Sequence, residues 1–108
     1  MDHEKLVDEF FKLKNIRIDT MKNYSNTLKI FSDYNNMTLT QLLDEAQRED
    51  NENISWENSK LRERLIGYSE YLQDRYENRT AKTYFKRVTS FYQVFQVYVF
   101  PIPTPIGR

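Results

Sequence analysis

A chain of 108 residues suffices for one domain with its own core, without metal or disulfide staples. It has no cysteine and a single histidine, His3, which excludes disulfides, thiolate metal sites and any histidine pair for catalysis or metal binding. Sixteen basic and sixteen acidic side chains cancel formally; no apolar run approaches the ~20 residues of a membrane span, and the polar start carries no signal-peptide pattern. The expectation is a cytoplasmic protein with no membrane attachment and no cofactor.

Proline first occurs at Pro101, and apolar residues recur at helical spacing, so the chain reads as all-α: a short leading helix and four main ones. The leader spans about His3 to Lys14, with Leu6, Phe10 and Leu13 on one stripe and Val7 and Phe11 beside it. The first main helix runs from about Thr20 to Tyr34, with Asp19 as its expected N-cap and Tyr24, Leu28 and Phe31 inward. Asn35 and Asn36 end it.

The next helix starts at Thr38, where Thr38-Leu39-Thr40-Gln41 matches a capping box; Leu39, Leu42, Leu43 and Ala46 point inward. It is expected to dissolve in the acidic, Asn-rich stretch from Glu49 to Asn53. A long helix follows over roughly Trp56 to Glu77, with Leu61, Leu65, Tyr68, Leu72 and Tyr76 in phase and Trp56 as a core plug. Gly67 within it permits a close helix approach. The last helix covers about Arg79 to Val97, capped by Asn78 or Thr80. Its inner face is Ala81, Tyr84, Val88, Phe91, Tyr92 and Phe95. Residues 1–99 are thus read as one domain. Residues 100–108, with alternate prolines that favour an extended path, read as a linker to a further domain.

The zero net charge hides a strong polarity. Residues 38–77 hold ten acids against five bases, whereas residues 78–108 hold Arg79, Lys82, Lys86, Arg87 and Arg108 and no acid. Between Lys12 and Phe31, five bases (Lys12, Lys14, Arg17, Lys22 and Lys29) face Asp19 alone. An approaching polyanion responds to local potential rather than to the sum.

If the aromatic face of the last helix turns inward, its outer face is Arg79, Lys82, Thr83, Lys86, Arg87, Ser90 and Gln93. Cations alternate there with short hydroxyl and amide side chains, a mixture that neutralises phosphates and reaches base edges. Exposed amides at the helix start add a second phosphate-binding feature. The first main helix repeats the arrangement with Thr20, Lys22, Asn23, Asn26 and Lys29 behind its apolar stripe. The acidic middle helices are expected to face away from the nucleic acid.

Two segments resemble the N-terminal core-binding domain of tyrosine recombinases, the phage-type integrases. One is Thr20-Met21-Lys22-Asn23-Tyr24 followed by Leu28 and Phe31, similar to the family's T-x-x-x-Y-x-x-x-L-x-x-F pattern. The other runs from Thr80 to Tyr92, a threonine opening a helix, then basic residues, then Ser90-Phe91-Tyr92. Between them, Met37 to Leu43 and the acidic turn from Glu49 to Trp56 are similar to features of archaeal members. The region near Asn78 lacks the small polar-Pro-polar start common in the family.

This resemblance implies a compact SAM-like orthogonal bundle of four to five helices that clamps double-stranded DNA opposite a catalytic domain. It implies Thr20, Lys22, Asn23 and Asn26 as contacts in one major groove and Arg79, Thr80, Lys82, Thr83, Lys86 and Arg87 in the next. It also implies, as partners, the protein's own C-terminal catalytic domain and further recombinase protomers in a synaptic complex. The family's catalytic set is an arginine, a His-x-x-Arg and a tyrosine nucleophile. No His-x-x-Arg occurs here, and the chain is expected not to be an enzyme by itself. The alternative is a helical protein–protein interaction bundle that docks a partner or a second copy through Phe100, Ile102 and exposed tyrosines.

Overall fold

The computed structural model describes residues 3–14 and 18–100, without the side chains of 3–5, 14, 18, 19 and 21. Pro101 to Arg108, most of the expected linker, lie outside the described residues, as do the side chains of His3, Lys14, Arg17 and Asp19.

Among the described residues the chain is all-helical and contains no strand. Five α-helices follow in order: α1 His3–Lys14, α2 Ile18–Asn35, α3 Leu39–Asn51, α4 Lys60–Arg75 and α5 Asn78–Val94, with a 3₁₀ turn at Trp56–Asn58 before α4. None is long and apolar enough to cross a membrane.

The core is aromatic and shared by all five helices. Phe10 of α1 lies 5.3 Å from Tyr24 of α2 and 5.8 Å from Phe91 of α5, ring centre to ring centre. Phe31 of α2 meets Tyr68 of α4 edge-on at 4.9 Å and Tyr92 of α5 at 6.1 Å. Such tilted and edge-on pairs suit the ring quadrupoles. Leu39, Leu42, Leu43 and Ala46 of α3 are all buried, as the period required. In α1 the buried set is Leu6, Val7, Phe10 and Phe11, whereas Leu13, expected on the inner stripe, is 59% exposed. The face of α1 is centred between Phe10 and Phe11, one residue away from Leu13's side.

Helix ends follow local chemistry. At the start of α3 the Thr38 side chain accepts from the Gln41 amide, and the Gln41 side chain accepts in return from the Thr38 amide, closing the capping box. Three helices close with the same paired bonds. In α2 the Met37 amide donates to Ser32 O and Asn36 to Asp33 O; in α3 Ile54 donates to Glu49 O and Asn53 to Asp50 O; in α5 Val97 donates to Tyr92 O and Gln96 to Gln93 O. The turning residue in each is left-handed: Asn36 at φ 53°, Asn53 at 59° and Gln96 at 66°.

Several expectations are corrected. Helix α2 begins at Ile18, so Asp19 falls inside it and is not its cap. Helix α3 continues through Glu49 and Asp50 to Asn51. The acidic stretch persists as helix because Glu49 is anchored at its far end: its carboxylate accepts from the amides of Lys60 (2.7 Å) and Leu61 (3.4 Å), capping α4 from outside. The long third main helix is split, with Trp56 in the 3₁₀ turn and Ser59 as the N-cap of α4, accepting from the Arg62 amide. Trp56 packs against the core from its edge and against Phe100, half-buried rather than enclosed as a plug. Helix α5 starts at Asn78 after Glu77, which supplies no side-chain cap; neither Asn78 nor Thr80 caps it.

Gly67 fulfils its expected role. A Cβ built there would lie 2.5 Å from the Tyr34 hydroxyl, so the bare backbone of α4 is what lets the α2 tyrosine lie across it.

Candidate nucleic-acid interface

Helices α2 and α5, which carry the two cationic faces, pack directly on each other. Their junction is made by one side chain. Arg87 of α5 donates from Nη1 to the Thr27 hydroxyl at 3.0 Å and, more loosely, to the Asn23 carbonyl at 3.5 Å. Thr27, fully buried, donates its own hydroxyl hydrogen to the same Asn23 carbonyl at 2.8 Å. The Arg87 guanidinium carbon lies 5.3 Å from the Tyr24 ring centre and 5.8 Å from that of Tyr84. A planar, permanently charged group is thereby held between two rings and two oxygens.

This corrects one expectation. Arg87, placed on the free outer face by sequence reasoning, is half-buried and spent on joining the helices. The inner face of α5 is also rotated relative to expectation: Ala81, Phe85, Val88 and Tyr92 form the buried i, i+4, i+7, i+11 stripe, while Tyr84 is half-buried at its edge beneath Arg87. Phe85 was missed, although its spacing from Ala81, Val88 and Tyr92 is the stronger helical signal.

Around Arg87 the other candidate residues take their places. On α5, Arg79, Lys82, Thr83 and Lys86 are exposed and Thr80 is half-buried; on α2, Lys22, Asn23 and Asn26 are exposed and Thr20 is half-buried. Because Asn23 meets Arg87, the exposed turn of α2 at Lys22–Asn26 and that of α5 at Thr83–Lys86 belong to one continuous surface. Thr83 donates its hydroxyl to the Arg79 carbonyl at 3.0 Å, leaving its oxygen as an acceptor only.

Ion pairs among the described residues join Lys29 to Asp33, Lys60 to Glu63 and Arg64 to Glu45. None of them engages Lys22, Arg79, Lys82 or Lys86, so among the described side chains, which do not include that of Asp19, no carboxylate pairs with these four cations. The first amides of α5 receive no side-chain cap from Glu77. Acid-rich α3 packs on α1, α2 and α4.

A second arginine organises the opposite end of α2. Arg64 of α4 grips the Glu45 carboxylate of α3 with two bonds, Nε to Oε1 at 2.6 Å and Nη2 to Oε2 at 2.8 Å, and donates Nη1 to Asn35 Oδ1 of α2 at 3.1 Å. The bond from Arg64 holds the Glu45 carboxyl below its usual range, and Glu45 raises Arg64 in turn. Sequence reasoning missed this pair, which spans nineteen positions and follows no local pattern.

Tyr68 and Tyr92 are fully buried, and neither hydroxyl has a hydrogen-bond partner among the described residues. Burial pushes both phenols well above their ordinary value, opposite to the shift that activates a nucleophile. The described residues contain no group of three His, Cys, Asp or Glu side chains placed to hold a metal ion.

No protein-family model matches the chain, and no curated protein or solved structure is significantly similar to it.

Proposed function

We propose that this chain is a duplex-DNA-binding domain that lays the joined outer faces of α2 and α5 on the DNA. The observation that carries the reading is the Arg87 junction. It makes a single surface of two helix faces whose lysines, Lys22, Lys82 and Lys86, are exposed and paired with no described carboxylate side chain. Each phosphate neutralised releases counterions, so such a surface binds DNA with a steep dependence on salt. Asn23, Asn26 and Thr83 stand among these cations as groups able to reach base edges.

The finer reading is the core-binding domain of a tyrosine recombinase, acting with a separate catalytic domain and with other protomers on double-stranded DNA. Its support is the order of the two motifs, Thr20 to Phe31 followed by Thr80 to Tyr92.

The test is fluorescence anisotropy on a labelled duplex of about 25 base pairs over a salt series. The wild-type chain is expected to bind with a Kd of about 10⁻⁴ to 10⁻⁶ M, weakening steeply as salt rises. Lys82→Glu with Lys86→Glu should abolish most binding and flatten the salt slope by about 2, with helicity by circular dichroism unchanged. Equal affinity in the double variant would overturn the reading.

A further inference from the structure

Where the chain leaves α5, a different kind of surface stays open. Tyr98 is 69% exposed, Phe100 45% and Ile54 40%. The Phe100 ring centre lies 4.5 Å from that of Tyr98, edge-on, and 5.4 Å from that of Trp56. These four side chains line one cleft between the end of α3, the 3₁₀ turn and the segment after α5. The charged residues lining it are Glu49 and Asp50, both acids; no lysine or arginine of the described residues lines it. Glu49 is committed to the α4 amides, whereas Asp50 is exposed and enters no ion pair with a described side chain.

An aromatic floor with a free carboxylate at its rim suits a cation carried on an apolar stem. A phosphate backbone would be repelled there. A second copy docked cleft to cleft by two-fold symmetry would bury two further acids and bring no cation from the described lining, which is unfavourable. Arginine fits better than lysine: its guanidinium is planar, stacks on rings, gives up water more readily and pairs with a carboxylate through two bonds.

We propose that this cleft docks an arginine-bearing peptide segment of another protein. The guanidinium stacks on Tyr98 and Phe100 and pairs with Asp50, while a neighbouring apolar residue rests on Ile54 and Trp56. The inference stands independently of the DNA reading, since it uses none of the α2 and α5 cations.

Trp56 is the sole tryptophan of the chain, so its emission reports on this cleft alone. The intact chain, without DNA, is titrated with the capped peptide acetyl-(Arg-Leu-Pro)₂-amide and with its counterpart bearing citrulline for arginine. A saturable change in emission is expected with the arginine peptide, about ten-fold weaker with the citrulline one. Asp50→Lys and Tyr98→Ala alter exposed side chains, should keep their helicity, and should each weaken the arginine peptide by about ten-fold. Lys82→Glu with Lys86→Glu should bind the peptide like the wild type, which separates failure here from failure of DNA binding. The proposal is overturned by no saturable change, by equal response to the citrulline peptide, or by unaltered binding in both cleft variants. A concentration-dependent dimer that Tyr98→Ala dissolves would also overturn it, by giving the cleft to a second copy.

Discussion

Arg87 on α5 donates to the hydroxyl of Thr27 on α2 across a separation of sixty positions, and Thr27 is almost fully buried. A cation whose best partner is a buried hydroxyl is oriented inward, so its contribution to DNA binding is to set the spacing of its neighbours. Arg87→Ala should cost about 1.5 kcal/mol of stability through the lost bond and ring contacts. Arg87→Lys should recover little of it, because an ammonium cannot bridge the same oxygens and rings. DNA affinity should fall in both variants while the salt slope stays at the wild-type value. A slope reduced by about 1 would instead mean that Arg87 touches a phosphate itself.

Acid should unfold the chain partly through Glu45. Its carboxyl titrates below the usual value because Arg64 holds it, so the folded form binds its proton less readily than the unfolded chain does. That stabilisation is complete above the ordinary value of 4.5 and is lost as pH falls through the lower folded value. Glu45→Gln should lower stability by about 2 kcal/mol at pH 7, a melting point lower by roughly 10 °C for a domain of this size. The melting points of the variant and the wild type should converge as pH falls below the lowered value of the folded carboxyl. A constant difference from neutral to acid pH would show that the pair is not the source.

Gly67 and Tyr34 form a steric pair that a double-mutant cycle can read. Alanine is a better helix former than glycine by about 1 kcal/mol, but its methyl would strike the Tyr34 hydroxyl. Gly67→Ala alone should therefore be neutral or destabilising in urea denaturation. In a Tyr34→Phe background, where the ring carbon lies at an ordinary 3.7 Å, the same change should stabilise by about 1 kcal/mol. Additive effects would mean that the tyrosine moves aside at no cost.

Gln96 closes α5 with a left-handed backbone that suits glycine or asparagine better than glutamine. Its side chain is exposed, and the bonds of the closing turn come from the backbone amides of Gln96 and Val97. Gln96→Gly should raise stability by about 1 kcal/mol without changing helicity, and Gln96→Val should lower it. Thermal unfolding followed by far-ultraviolet circular dichroism measures both.

Much of the fold was readable because its determinants are local. The capping box at Thr38 and the buried stripe of α3 follow from residues within a few positions of each other, and the close approach at Gly67 follows from the residue type alone. The rotation of α5 toward Phe85 was legible too, but the adjacent Tyr84 offers a competing stripe through Val88 and Phe91. What sequence reasoning did not reach was decided across the bundle. The Arg64–Glu45 grip, the burial of Thr27 and the inward turn of Arg87 depend on which helices become neighbours, and residue type favours none of them beforehand. The candidate site was accordingly legible as a set of exposed cations on two helices, but not as one surface with an arginine rivet at its centre.

Glu49 belongs to the last turns of α3 yet completes the first turn of α4, eleven positions on. Loss of that bond would leave both helix ends without a partner, so the intervening connection is expected to open together with both helices. Hydrogen exchange at the Lys60 and Leu61 amides would consequently follow the opening of α3, and a Glu49→Gln change would uncouple two segments that otherwise breathe as one.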